Sequence, residues 1–445
     1  MDNKWKLINL IAFTILLVIV FIPTNEAAAA VNCSDPGVIC KSGSLGGNET
    51  WVSGNIYVIT GTDLTVPPGV TLTIQEGVIL KLDITRSLLV DGSLNINGTS
   101  GNQVIITSVR DDTGGDTDHT VTPPAAGNWK HVNFRNGGIG DLNYAEFRYG
   151  GGSISYNGMV DTEAGASVSI DHGVFKNSQY CAIRSDPAYE VTMTNMTNTD
   201  FTGSQFNGLC FSASSVGVNA TWDETEAAYI LISDVTVTSG ITLNLGPGIV
   251  IKPRTFSTEL FVDGTLNANG TAGNRVYVTS INDDSVGGQT NNSATQPRQG
   301  NWGQLYFREN SSGNLNYIDV RYGGGSSGSA AIHIFNASPS IINSNITNNP
   351  RGISVGGINS NPTINNCNIF GNSDYGMYNS ESGHWITATN NSWGSMSGPY
   401  DPSPPGVDGS YNYGSGDRVN DYIKYRPWIS VFNERVFLPI VFNKQ

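Results

Sequence analysis

Residues 89–108 read LVDGSLNINGTSGNQVIITS, and residues 261–280 read FVDGTLNANGTAGNRVYVTS. The pairs Asp91/Asp263, Gly98/Gly270 and Asn102/Asn274 each lie 172 positions apart. The likeness runs outward both ways. VTLTIQEGVILK (Val70–Lys81) answers ITLNLGPGIVIK (Ile241–Lys252), Gly127-Asn-Trp129 answers Gly300-Asn-Trp302, and Arg148-Tyr-Gly-Gly-Gly answers Arg321-Tyr-Gly-Gly-Gly. Self-similarity on this scale marks a repeat architecture, in which no unit buries its apolar side alone and stacking supplies the core.

A finer repeat sits inside the long one. PSIINSNITNN (Pro339–Asn349) returns 23 residues later as PTINNCNIFGN (Pro362–Asn372), and SIDHGVFKN (Ser169–Asn177) aligns with both. That spacing suits one coil of a solenoid. Between Trp51 and Trp393 the chain is short β-branched runs broken by Gly, Asn and Asp, without useful helical periodicity. The expected fold is all-β: one continuous right-handed parallel β-helix, single-stranded, with Asn stacked at its corners in hydrogen-bonded amide ladders. The expected divisions are a leader (1–30), an N-terminal cap (31–50), two homologous halves (51–228 and 229–394), a C-terminal cap (395–430) and an apolar tail (431–445).

Composition narrows the function. Of 445 residues 38% are hydrophobic, enough for a large core, but only 13% are charged, about half the usual share. The formal net charge of −14, with no cluster of Lys and Arg, argues against nucleic acid. Two lysines precede an unbroken apolar run, Leu7–Ile22, followed by Pro23 and the small residues Ala27–Ala30. This pattern predicts a secretory signal, cleaved near Ala30 or else kept as a membrane anchor, a location outside the cell or at its surface, and no membrane span afterwards. Five cysteines suit an oxidising compartment. Cys33 and Cys40 bracket a short loop. Cys181 and Cys210 fall at equivalent places on successive coils, within bridging distance at the usual strand spacing. Cys367, in the place of Ser344 and His172, is expected to be a buried free thiol.

Two insertions break the rhythm at matching positions, Arg110–Asn128 and Asn282–Asn301, and loops of this kind carry function more often than rungs do. The coils ending NITNN and NIFGN, and the closing ATNNSWGSMSGPYDP (Ala388–Pro402), resemble secreted bacterial proteins with right-handed parallel β-helix repeats. The resemblance, roughly Trp51 to Ser430, implies an architecture that also hosts pectate lyases and polygalacturonases. It implies no particular activity.

Candidate chemistry follows. Hydrolases resembling polygalacturonases carry Asn-Thr-Asp, Asp-Asp, Gly-His-Gly and Arg-Ile-Lys; this chain has Asn198-Thr-Asp200 and Asp283-Asp284 but lacks the last two. Lyases of the fold use an arginine base with calcium, and Asp111, Asp112, Asp116 and Asp118 offer oxygen ligands suited to Ca²⁺, or else form Asx-turns. Strand alternation sends Trp129, His131, Asn133 and Arg135 outward if Val132 and Phe134 face in. The counterparts are Trp302, Gln304, Tyr306 and Arg308. The next coil offers Tyr144, Glu146 and Arg148, repeated as Tyr317, Asp319 and Arg321. Aromatic rings beside Arg and carboxylate suit an extracellular polysaccharide or cell-surface glycan; the alternative is that Glu146–Arg148 and Asp319–Arg321 are solvated pairs on a sheet face and that Trp129 closes the loop preceding it. A catalytic centre is needed once, so its residues should differ between copies, yet these largely recur. The leading expectation is a non-catalytic binding or adhesion protein; the competing one is a polysaccharide lyase or glycoside hydrolase.

Overall fold

A computed structural model describes residues 31–152, 156–196, 201–211, 215–325, 329–402 and 411–430. The expected leader and the tail 431–445 lie outside these. The described chain is a parallel β-solenoid of about 13 turns without a helix.

The core is built from vertical files. Ile74 pairs with Ile96, Ile96 with Leu142, Leu142 with Ile170 and Ile170 with Met193, all buried, while Thr73, Asn95, Asp141 and Ser169 point out. Each such apolar side chain contributes roughly 1.5–3 kcal/mol when removed from water. Phe147, Phe175 and Phe201 stack in the same way, ring centroids 5.1 and 5.6 Å apart. Gly140 interrupts one file because the Phe134 ring fills the space: a Cβ there would lie 2.7 Å from it.

Each turn is closed by residues in the left-handed conformation. Tyr144, His172 and Asn195 form one corner file (φ 49–54°), and Tyr317, Asn343, Asn366 and Asn390 another (φ 52–57°). Asn tolerates this conformation better than most residues, which explains its recurrence there. The expected amide ladders are present: Asn343 Nδ2 donates to Asn316 Oδ1 (2.9 Å), Asn368 to Asn345 (2.9 Å) and Asn349 to Asn372 (3.0 Å). The alignment of His172 with Cys367 is one position out. His172 occupies the corner held by Asn343 and Asn366, and Cys367 follows that corner as a buried free thiol.

Both disulfides form, Cys33–Cys40 and Cys181–Cys210, with Cα separations of 5.6 and 6.1 Å. The latter pair is not level across the strands. Cys181 faces Phe206 and Cys210 faces Arg184, with a register shift beside Cys181.

The sheets do not all run the length of the molecule. Strand Phe206–Phe211 pairs with Tyr229–Leu231, carrying one file from Leu88–Val90 through to Asn368–Phe370. The six-stranded sheet that includes Ser93–Asn97 ends at Thr192–Thr194, and two new sheets begin at Ser215–Val216 and Ala220–Trp222. The continuing file brings a change of partners. Ala145–Arg148 belongs to a file that stops at Phe201–Thr202, whereas its sequence equivalent Ile318–Arg321 sits in the file that continues. Equivalent strands of the long repeat therefore do not stack above one another.

Candidate functional site

The two insertions are anchored by the same device. Lys81 and Lys252, each closing an apolar strand run, are fully buried and donate from Nζ to Gly115 O (2.5 Å) and Gly288 O (2.7 Å). Burial pulls both ammonium groups below the usual lysine range, Lys252 to about 8. Asp111 accepts from the Thr107 and Thr113 hydroxyls, each at 2.7 Å, and Arg148 Nη1 lies 3.5 Å from its Oδ2 and 3.2 Å from Thr113 Oγ1. In the second insertion Asp283 accepts from Thr279 and Ser285 (2.6 Å each), and Arg321 reaches Asp283 (2.8 Å) and Ser285 (2.8 Å). Burial pushes both carboxyls up, but these bonds and the arginines more than offset it and hold them low. Arg148 and Arg321 thus tie the insertions to the solenoid.

The expected outward indoles are turned inward. Trp129 and Trp302 are both 0% exposed, their Nε1 atoms donating to Arg148 O (2.7 Å) and Arg321 O (2.8 Å). Each lies ahead of its strand, Val132–Phe134 or Leu305–Phe307, so strand alternation does not govern it. The Arg-Tyr-Gly-Gly-Gly segment is the counterpart. A Cβ on Gly150 would come within 2.5 Å of the Trp129 ring, and one on Gly323 within 2.7 Å of Trp302. The repeated motif is a seat for tryptophan.

The remaining patch residues are largely engaged with one another. Glu146 accepts from Arg148 Nε (2.7 Å) and Lys176 Nζ (2.6 Å); burial raises its carboxyl, and these two partners pull it net low. Asp319 is driven upward by burial and takes one bond, from Asn345 Nδ2 (3.3 Å). Arg135 forks onto Asp91, and Arg308 lies 3.4 Å from Asp263 and over the Phe261 ring at 3.6 Å. Tyr144 stacks on His172 (4.1 Å) and Tyr306 on His333 (4.4 Å). Rings stacked rung on rung cover the faces that a sugar would use.

Three of the four aspartates of the first insertion form turns, Asp111 by accepting from Thr113 N. Besides Asp111, Asp116 accepts from the backbone of Asp118 and His119, and Asp118 from Thr120. Among the described residues no three His, Cys, Asp or Glu side chains converge as a metal site. Asn198-Thr-Asp200 lies outside the described residues.

Two arrangements were not foreseen in the sequence. On the strands Val132–Phe134, Gly158–Thr162 and Cys181–Ser185, the fully buried Asp161 accepts from Gly158 N (2.7 Å) and, twice at 3.0 Å, from Arg184. Its Oδ2 also lies 2.6 Å from His131 Nδ1, and the Asn157 amide sits 3.2 Å from the same nitrogen. A buried carboxylate beside Nδ1 fixes the orientation of the imidazole ring. Gln304 occupies the corresponding place in the second copy, so this dyad is single.

The second arrangement is at the C-terminal end. Pro399–Asp401 pairs with Asn412–Tyr413 and Gly416–Arg418, and Asp417 caps the last Asn ladder by accepting from Gly371 N, Asn372 N (2.9 Å each) and Asn372 Nδ2 (2.8 Å). Between this cap and the last rungs lies an open cleft of about 340 Å³, lined by Asn372, Ser373, Asp374, Tyr400, Ser415 and Arg418 among others. Tyr400, Tyr411 and Tyr413 stand 40%, 45% and 74% exposed on this cap.

No known protein family, curated protein or solved structure matches the chain.

Proposed function

We propose that this is a secreted or cell-surface protein, a right-handed β-helix that binds extracellular carbohydrate or serves in adhesion through its C-terminal cleft. The observation that carries the reading is a polar cleft lined by the exposed Tyr400, with Tyr413 and Tyr411 following it in tilted and edge-on ring contacts, whereas most aromatic rings among the described residues are buried or stacked. Tyrosine faces suit the C–H side of a pyranose, while Asp374, Ser373 and Arg418 supply acceptors and donors for hydroxyls. Two disulfides fit an oxidising compartment. No helix of the described residues is long and apolar enough to cross a membrane.

The test is retention on a panel of acidic and neutral polysaccharides. Tyr400→Ala with Asp374→Ala is expected to weaken retention roughly tenfold or more, the scale of one or two lost contacts, while Trp129→Ala acts on folding instead. Retention that survives the first pair places binding elsewhere.

The enzyme reading keeps one specific support, the His131–Asp161 dyad, an imidazole oriented by a buried carboxylate as proton-transfer chemistry requires. Unsaturated products or new reducing ends from any of those polysaccharides, lost in His131→Gln, would favour it.

A further inference from the structure

Beside the cleft, but sharing none of its lining residues, lies an apolar groove of about 600 Å³ walled by Met396, Arg426, Pro427, Trp428 and Ser430. Its floor is dry in character. The Trp428 Nε1 is already satisfied by Met396 O (3.2 Å), and the indole is seated on Gly398, where a Cβ would come within 2.7 Å. Arg426 lies 4.9 Å over the Trp428 ring and places one positive charge at the rim. Met396 stands 72% exposed at the edge, whereas most large aliphatic side chains among the described residues are buried. An open apolar wall of this kind is a site awaiting a cover.

We propose that the cover is this chain's own segment 431–445, VFNERVFLPIVFNKQ, docked in the Met396–Trp428 groove. Three observations select it over another molecule. Ser430 lines the groove, so the segment leaves the solenoid at the groove itself and meets it at an effective concentration that a free partner does not reach. The segment carries Val431, Phe432, Val436, Phe437, Leu438, Ile440, Val441 and Phe442, the apolar content the groove lacks. Glu434 supplies a charge complementary to Arg426. The inference is independent of carbohydrate binding.

Paired cysteines in the full-length protein test it. Met396→Cys combined in turn with Phe437→Cys, Leu438→Cys or Ile440→Cys is expected to give an intramolecular disulfide on mild oxidation with at least one partner, read by mass spectrometry. Met396→Cys with Val218→Cys, on the solenoid wall, should give none. Trypsin cleavage after Arg435 should be slow in the native protein and roughly tenfold faster in Trp428→Ala, as local docking is lost. Met396→Asp, at an exposed side chain outside the core, should repeat that acceleration without disturbing the fold. Absence of a bridge with all three tail positions, bridges only between two molecules, or cleavage equally fast in native and variant proteins would each overturn the proposal.

Discussion

Replacing Gly150 by Ala tests whether the repeated Arg-Tyr-Gly-Gly-Gly segment is a tryptophan seat or part of a binding face. The added Cβ would lie 2.5 Å from Trp129 Cε2 and Cζ2 and 2.8 Å from Cδ2, well inside van der Waals contact. Relief requires the indole to move, and overpacking of this sort costs about 1–3 kcal/mol. Movement also strains the 2.7 Å bond to Arg148 O, and a buried N–H left without its acceptor costs a further 1–3 kcal/mol or so. The total is about 2–6 kcal/mol. Gly323→Ala, 2.7 Å from the Trp302 ring, should behave alike. Matched controls are at hand in Gly101 and Gly273, also equivalent in the repeat, where a Cβ meets nothing within 4 Å and φ is not positive. Their alanine variants should stay within about 0.5 kcal/mol of native. Denaturant midpoints, with amide exchange at Arg148 and Tyr149, give the readout. If Gly150→Ala is as mild as Gly101→Ala, or abolishes glycan retention while stability is unchanged, the seat argument fails.

Two other outcomes follow from the buried chemistry. Burial pushes the Glu190 and Glu224 carboxyls up to about 8 and about 7, against 4.5 ordinarily. The folded state therefore holds protons that the unfolded chain releases, so these groups stabilise fully below about pH 4.5 and that contribution is lost as pH rises towards 8. The loss is on the order of 2–4 kcal/mol for the pair, discounted because solvent reaches Glu190. In Glu190→Gln/Glu224→Gln the decline between pH 5 and 9 should flatten; an unaltered slope refutes the assignment. Opening the Cys181–Cys210 bridge, which spans 29 residues, by Cys210→Ser should cost about 3–4 kcal/mol in denaturant titrations. A loss under about 1 kcal/mol would refute that figure and point to residual structure in the unfolded chain.

The architecture was legible because its cause is local and repeated. A file such as Ile74–Ile96–Leu142–Ile170 writes the same residue class at every turn, and the corner conformation selects Asn so often that the ladders can be read from NITNN and NIFGN. The outward placement of Trp129 failed because alternation applies only within a strand, and the indole precedes it. Lys81 and Lys252 were visible as lone lysines ending apolar runs, yet their acceptors lie 34 and 36 residues on, in loops without periodicity. Asp161 is separated from His131 by 30 residues and from Arg184 by 23, and only the coil length brings them level. The C-terminal cleft left no repeat signal, since it is assembled once, from the last rungs and the cap.

The change of file at Phe206–Phe211 alters what the long repeat can accomplish. Had equivalent strands stayed in one column, duplicating the sequence would have lengthened a single rail along the molecule. With Ala145–Arg148 and Ile318–Arg321 in different columns, the second copy looks out from another side of the rod. A straight polymer lying along the axis meets only one copy of any repeated contact, so duplication here multiplies compass bearings rather than grip.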